Sequence, residues 1–262
     1  MLNRTIFLVS LLCICGCATN PITGRDELML FSEQQDVQIG RSYAPEIEKQ
    51  LGGKIEDPVV QAFINRVGQR TVHTNYSRHF DYHFTAVNDK SVNAFALPGG
   101  YIFITRGMLE KLQTEAQLAA ILSHETIHVV ARDTMNVMSN QIGIEILLSA
   151  VISKDTPRAA VTAAQLTRRI LSLSYSREDE KLADLGGLDY MARAGYDPHA
   201  MIQMMQILQS QQKYQPMEFF STHPSPENRI GYIREKVERK YSNTEGMITG
   251  DNTYKQQVLD NL

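Results

Sequence analysis

The pattern H-E-x-x-H at residues 124–128 is the feature that most constrains how this chain can fold. A helix-capping pattern begins ahead of it at Thr114, and apolar residues then recur at helical spacing. Residues four apart on a helix lie one above the other, with Cβ atoms about 5–6 Å apart, so His124 and His128 can share one metal ion. Glu125 lies one position further round, where it can take a proton from a metal-bound water. The pattern therefore predicts a helix that carries a zinc site.

A catalytic zinc site also needs a third protein ligand and an open position for water. Glu178, Asp179 and Glu180 follow about fifty residues later, at the start of another helical pattern, and each offers a carboxylate. Asp184 stands one turn beyond Glu180 and could accept the second ring N–H of a ligating histidine. The alternative is that these histidines and acids only form solvated helix faces, which is common for such clusters taken alone.

Three motifs in this order resemble metallopeptidase family 48 over roughly residues 30–240. They are H-E-x-x-H, the later S-R-x-x-E-x-x-A-D, and N-A-F-A-L-P-G-G at residues 93–100. The resemblance implies an α+β fold, a mainly helical zincin-like domain with a small β-sheet beside the H-E-x-x-H helix. It also implies one Zn²⁺ per chain held by His124, His128 and Glu180, with Glu125 as the general base.

Residues 221–229 are rich in proline and place His223 six positions before Arg229. On chemistry alone, these two side chains could donate hydrogen bonds to a developing oxyanion. The family pattern H-P-x-x-x-x-R matches both, and the resemblance implies that the histidine can cap the zinc in a latent state. The alternative is a plain helix-start loop, with Pro226 in the first turn of a helix over residues 227–240.

Residues 80–105 change from helical to strand periodicity. Apolar and polar residues alternate over 80–85, and a hairpin is predicted over 92–105 through a Pro-Gly-Gly turn. A peptidase that cleaves extended polypeptide needs an exposed strand edge to pair with its substrate. We expect Asn93, Ala94 and Phe95 to provide that edge, while an ordinary place in the sheet core is the alternative for Phe95.

Residues 1–17 have the composition of a bacterial lipoprotein signal peptide. Arg4 supplies a positive start, a short apolar run follows, and Ile-Cys-Gly-Cys resembles a lipobox that ends at Cys17. All three cysteines lie in this segment, so no disulfide framework is expected. Ala18, rather than aspartate, follows Cys17 and indicates a lipid anchor at the periplasmic face of the outer membrane. A plain cleaved signal peptide is the alternative.

The rest of the chain is predicted to divide into three parts. Residues 18–57 form an N-terminal arm or helix interrupted or kinked at Pro45, residues 58–240 the zinc metallopeptidase domain, and residues 241–262 a C-terminal tail. Residues 137–152 are mostly apolar but fall short of the ~20 residues of a membrane span. We therefore expect a helix that covers the core rather than one that contacts a membrane.

Together these observations predict a zinc-dependent endopeptidase of the bacterial envelope that acts on misfolded periplasmic or outer-membrane proteins. The formal net charge of −3 provides no basic excess, so nucleic acid is not expected as a partner. One alternative is a latent peptidase that acts mainly as an assembly factor or chaperone, associated with the outer-membrane assembly machinery. Another is a protein with a structural zinc and no catalysis.

Overall fold

A computed structural model describes residues 16–76, 80–152, 170, 172–212, 218–224 and 228–262, with the backbone alone over 143–152 and at 212. The described helices are α1 Glu33–Gln50, α2 Pro58–His73, α3 Arg106–Leu109, α4 Glu115–Ala131, α5 Asp133–Ile152, α6 Arg177–Arg193, α7 His199–Gln212, α8 Glu218–Thr222, α9 Arg229–Lys240 and α10 Asp251–Gln257, followed by a 3-10 turn at Leu259–Asn261. The strands are β1 Cys17–Thr19, β2 Asp26–Leu28, β3 His83–Val87, β4 Ala94–Leu97 and β5 Tyr101–Thr105. The predicted mainly helical α+β class is confirmed.

The main sheet has the order β3-β5-β4, with β3 parallel to β5 and β4 antiparallel to β5. The β4–β5 hairpin confirms the one predicted over residues 92–105. Its turn contains Gly99 and Gly100, at φ +76° and +99°, a region in which side chains other than hydrogen are strained. A Cβ on Gly99 would also lie 2.5 Å from the Cα of Val37, so the turn packs directly on α1.

Helix α4 carries the H-E-x-x-H motif and lies at the centre of the molecule. Thr114 caps its start by accepting a hydrogen bond from the Gln117 backbone N–H, as the sequence predicts. Every residue of α4 is buried, and a helix covered on all sides is a core helix rather than an amphipathic surface helix. The reading of the motif as a solvated face is therefore wrong.

Helix α6 crosses α4 at very short distance because two glycines lie at the crossing. A Cβ on Gly187 would lie 2.9 Å from the backbone N of His124, and one on Gly186 would lie 2.9 Å from Ile127. Real Cβ atoms are almost never that close to another chain segment. The absence of side chains there brings the acidic start of α6 to the histidines of α4.

Helix α1 begins at a capping box in which Ser32 and Gln35 bond to each other's backbone. Pro45 lies inside this helix and does not end it. Ile47 is fully buried in a second apolar cluster that includes Phe95 and Phe103 on the sheet. The N-terminal segment therefore packs on the face of the sheet opposite the main core.

The C-terminal segment is built into the core rather than extending as a free tail. Tyr254 and Val258 are fully buried in the main apolar cluster. The backbone of Thr249 accepts a hydrogen bond from the N–H of Ala116 at the start of α4. Residues 1–15, which contain most of the predicted signal peptide, lie outside the described part of the chain. Among the helices that are described, none has both the length and the apolar character required to cross a bilayer.

Candidate metal centre

Four buried side chains converge at one point between α4, α6 and the segment after α8. His124, His128, Glu180 and His223 each present a ligand atom, and all four atoms lie within 4.8 Å of one another. The Nε2 atoms of His124 and His128 are 3.1 Å apart, and His223 Nδ1 is 2.8 Å from Glu180 Oε1. The structure thus brings together the three sequence-predicted ligands and the histidine predicted to cap them.

Several polar atoms of this cluster and of the neighbouring Glu125 make no hydrogen bond to any residue the structure describes. They include both carboxylate oxygens of Glu125, Oε2 of Glu180 and Nε2 of His223. Unpaired buried polar atoms are costly and call for an explanation such as an ion or a water. Two imidazoles and a carboxylate are the donor set of many catalytic zinc sites. The residues present therefore fit a zinc ion.

His124 is supported from α6 and α9. Its Nδ1 lies 3.1 Å from Asp184 Oδ1, and that oxygen accepts a 2.6 Å hydrogen bond from Nη2 of Arg229. The hydroxyl of Tyr232 donates to the other oxygen of Asp184. Burial raises the pKa of Asp184, but the Arg229 guanidinium and His124 together outweigh it, so the pKa ends below its usual value. Asp184 is thus held ionised as the partner of His124.

His128 is supported from the start of α5 and from the segment before α6. Its Nδ1 lies 2.7 Å from Asp133 Oδ2. The ring of Tyr175 stacks on it with centroids 4.0 Å apart, and the Tyr175 hydroxyl lies 3.0 Å from Thr134 Oγ1. Burial raises the pKa of Asp133 to about 6, despite the opposing effect of His128. One ring face and the outer nitrogen of His128 are therefore held by Tyr175 and Asp133.

The pKa values of the three expected ligands also differ. Burial lowers the pKa of His124, and nearby carboxylates offset it only in part. Burial acts in the same direction on His128, but the carboxylates of Asp133 and Glu180 outweigh it and raise the pKa well above its usual value. Burial would raise the pKa of Glu180, yet His223 and His128 hold it well below the usual range. Glu180 is therefore ionised, as a metal ligand must be.

Only one of the three candidate acids near the start of α6 faces the histidines. Glu180 is fully buried, whereas Glu178 is exposed and pairs with Arg25 at 2.6 Å. Asp179 completes the capping box of Ser176 at the start of α6. The cap thus fixes the rotation of the first helical turn, and that rotation points Glu180 at α4.

The segment that carries His223 closes the site. His223 donates its backbone N–H to Phe219, and the ring of Phe219 stacks on the imidazole with centroids 4.5 Å apart. His223 Nε2 lies 3.6 Å from Glu125 Oε1. Arg229 is the first residue of α9 rather than part of a loop, and its side chain is buried against Asp184 and Glu180. The predicted role of Pro226 lies outside the described residues.

The expected strand edge is covered. Asn93, Ala94 and Phe95 are 5%, 0% and 8% exposed, and the ring of Phe95 stacks on Phe103. β4 is the outer strand of the main sheet, but the N–H of Phe219 donates to the carbonyl of Val92 at its start. In this conformation the strand is therefore not exposed at these residues, and their role in binding substrate stays a prediction.

Four residues of this region were missed by sequence reasoning. Asp133 and Thr134 lie just after α4, Tyr175 just before α6, and Tyr232 on α9. Their roles depend on chain reversals and helix crossings that no short spacing rule describes. The predicted lipidation residue, Cys17, is a free and exposed thiol in β1, outside this site.

The fold and the buried cluster define a metallopeptidase of the H-E-x-x-H class. The chain belongs to peptidase family M48, whose family model matches residues 57–237. This confirms the family inferred from the three motifs.

Named relatives agree with the family. The beta-barrel assembly-enhancing protease of Escherichia coli (strain K12) is 30% identical over 233 residues, which cover 84% of this chain and 47% of that protein. The putative beta-barrel assembly-enhancing protease of Vibrio cholerae is 32% identical over 198 residues, covering 71% and 41%. The mitochondrial metalloendopeptidase OMA1 of Schizosaccharomyces pombe is 32% identical over 180 residues, covering 66% and 52%. The chain spans about half the length of the curated relatives it matches.

Proposed function

We propose that this chain is a zinc-dependent endopeptidase that hydrolyses peptide bonds in protein substrates. The observation that carries the proposal is the meeting of His124, His128 and Glu180 around one point, with the carboxylate of Glu125 beside it and without hydrogen bonds to described residues. A purely structural zinc site has no use for a buried carboxylate that makes no hydrogen bond and lies next to its ligands. A hydrolytic site needs one as its general base.

In this proposal His124, His128 and Glu180 hold the metal. When bound, zinc supplies a Lewis acid and lowers the pKa of a coordinated water toward ~7. Glu125 takes the proton of the attacking water and later gives it to the leaving amine. Asp184 and Asp133 fix the ring orientation of the two histidines through their outer nitrogens.

Two further roles belong to the same proposal. His223 donates a hydrogen bond to the oxyanion once it leaves the ligand cluster, and Arg229 contributes positive charge from behind Glu180 and Asp184. Asn93, Ala94 and Phe95 hold the substrate extended along β4. Because the edge of β4 is covered at Val92, α8 must withdraw before a substrate can pair there.

We place this activity in the envelope of a Gram-negative bacterium. The lipobox supports an anchor at Cys17 and the periplasmic face of the outer membrane, and Cys17 is exposed as an anchor residue must be. Misfolded periplasmic or outer-membrane proteins are the proposed substrates. The name shared by several relatives, beta-barrel assembly-enhancing protease, supports a connection with outer-membrane assembly.

A second candidate is a latent peptidase that acts mainly as an assembly factor. It is favoured by His223, whose Nδ1 lies 3.4 Å from His124 Nε2 and is placed as a fourth donor where a water would otherwise bind. His223→Ala separates the two candidates. Cleavage should rise if His223 mainly blocks the site, and it should fall if His223 mainly stabilises the oxyanion.

The test of the first proposal is Glu125→Gln in the full chain, purified in detergent and assayed for casein digestion and zinc content. We expect zinc content to stay at the parent level while cleavage falls by about 10²–10⁴-fold, because the general base is lost and the ligands remain. Glu110→Gln, the same change at an exposed carboxylate before α4, should leave both unchanged. Undiminished digestion by Glu125→Gln would refute the proposal.

A further inference from the structure

A buried ion pair ties the N-terminal helix to the end of the H-E-x-x-H helix. Nε and Nη2 of Arg132 donate to Oδ2 and Oδ1 of Asp36 at 2.5 and 2.8 Å, and Nη2 also donates to the carbonyl of Phe31 at 2.6 Å. The side chains of Arg132 and Asp36 are 5% and 1% exposed. A bidentate Arg–carboxylate pair fixes both direction and distance, which a single contact does not.

Arg132 occupies a strained backbone conformation at the turn between α4 and α5. Its φ and ψ are 62° and 33°, in the left-handed region that favours glycine. This reversal makes Asp133 the first residue of α5 and returns its carboxylate to His128 Nδ1, five positions back along the chain. A non-glycine residue persists in such a conformation when its surroundings hold it there. Asp36 and Phe31 hold the side chain of Arg132. Its backbone N–H donates to the carbonyl of Val129, and its carbonyl accepts from the N–H groups of Met135 and Asn136.

We propose that Asp36 is a positioning residue for the metal ligand His128, acting through Arg132 and Asp133. Asp36 fixes the side chain of Arg132, Arg132 fixes the turn, and the turn sets the carboxylate of Asp133 against the imidazole. Asp36 lies before residues 57–237, the part that the M48 family model matches. The N-terminal segment is thus part of the apparatus that holds the metal, an inference that rests on the zinc site of the proposed function.

A simple structural clamp is the competing explanation, and the chain offers a control for it. Leu30 donates its N–H to Oγ of the buried Ser139 at 3.0 Å, which ties the same N-terminal segment to α5. Within the described part of the chain, Ser139 makes no hydrogen bond to Arg132, Asp133 or the histidines. Ser139→Ala therefore weakens the attachment of the segment without touching the proposed chain of contacts.

The experiment measures the zinc dissociation constant of the full chain by competition with a chelator, in the Glu125→Gln background so that the reading does not depend on cleavage. Asp133→Asn should weaken zinc binding by about 10–100-fold, the usual effect of losing the partner of a ligating histidine. Asp36→Asn, one contact further away, should weaken it by about 3–10-fold. Ser139→Ala should stay within about twofold of the parent, because it leaves the contacts among Asp36, Arg132, Asp133 and His128 in place.

Two outcomes overturn the proposal. One is parent-like zinc affinity in Asp36→Asn while Asp133→Asn is impaired, and the other is an equal loss in Asp36→Asn and Ser139→Ala. Should Asp36→Asn fail to fold, Arg132→Lys replaces it, since lysine keeps the charge but not the two-pronged contact. The zinc affinity of Arg132→Lys is then compared with those of Asp133→Asn and Ser139→Ala by the same two criteria. A parent that binds zinc but cleaves nothing would defeat the proposed function alone, so the two failures are distinguishable.

Discussion

The two histidines of the H-E-x-x-H motif lie one turn apart, yet different parts of the chain support them. His124 has its outer nitrogen against Asp184, which Arg229 and Tyr232 hold from α9. His128 has its outer nitrogen against Asp133, which follows directly on the turn at the end of α4. One support is an extended charge network between helices, and the other is a local backbone reversal.

The two histidines of one motif are therefore unequal as ligands, because their pKa values shift in opposite directions. Burial dominates at His124 and lowers its pKa, so the ring favours the neutral form that binds metal. Two carboxylates dominate at His128 and raise its pKa, so proton and metal compete more strongly for that ring. Glu180 is common to both sides, since its two oxygens lie 3.5 Å from the Nε2 atoms of His124 and His128.

Removal of Glu180, whose carboxylate lies beside both histidines, should have the largest effect on zinc affinity. Glu180→Ala removes the proposed carboxylate ligand of the zinc. We expect zinc affinity to fall by more than the roughly 10–100-fold that follows the loss of a hydrogen-bond partner of a ligating histidine. Zinc content after dialysis against a mild chelator measures this. Glu178→Ala, a change at the exposed acid on the same helix turn, is the control. Equal zinc content in the two variants would remove Glu180 from the ligand set.

Arg229→Met tests the charged network that supports His124. The methionine keeps much of the volume but leaves Asp184 and Glu180 buried without their cation, and breaking such a pair costs about 3–5 kcal/mol. Urea unfolding of the metal-free protein measures the loss. Arg234→Met, at an exposed position on the same helix, should change stability by less than about 0.5 kcal/mol. A stability loss no larger than that of the control would show that the network on this side is dispensable.

The smallest expected effect is on the free energy of unfolding, from a group of contacts at the outer end of the same α6–α9 interface. There Asp189 contacts Lys236, Lys240 and Tyr241. Burial raises the pKa of Asp189, but these partners outweigh it and lower the pKa overall. A carboxyl whose pKa is lower in the folded state stabilises the protein above its unfolded pKa, and the contribution disappears as pH falls through the folded value.

Asp189→Asn should therefore cost less than about 1 kcal/mol at neutral pH, since the pair is partly exposed. The difference from the parent should shrink steadily as the pH is lowered through the acidic range. Urea unfolding at a series of pH values measures it. A stability difference that does not change with pH would mean that Asp189→Asn destabilises the protein for reasons other than the loss of charge.

Sequence reasoning succeeded where the relevant geometry is local. The capping residue Thr114, the shared face of the two histidines and the β4–β5 hairpin follow from spacing along one element, and the structure has all three. The choice of Glu180 over its acidic neighbours was open on chemistry alone and rested on the family pattern. It follows physically from the cap at Ser176, which sets the rotation of α6.

What sequence reasoning missed depends on contacts between distant elements. Gly187 has no local signature of its own, yet it permits the approach of α6 to α4. Asp133 reaches His128 only because Arg132 adopts a left-handed conformation, which arginine rarely does. The covering of β4 by Phe219 likewise depends on a helix more than one hundred residues later in the chain. Each of these features depends on tertiary contacts that the local sequence pattern does not encode.

The complete enclosure of the four donor side chains has a kinetic consequence. With each of their surfaces at 0% or 1% exposure, neither an ion nor a chelating inhibitor can reach them by diffusion alone. Exchange of the ion, onset of inhibition and admission of a polypeptide each require a movement of the surrounding segments. The rate of each process would then depend on that movement as well as on the chemistry at the metal.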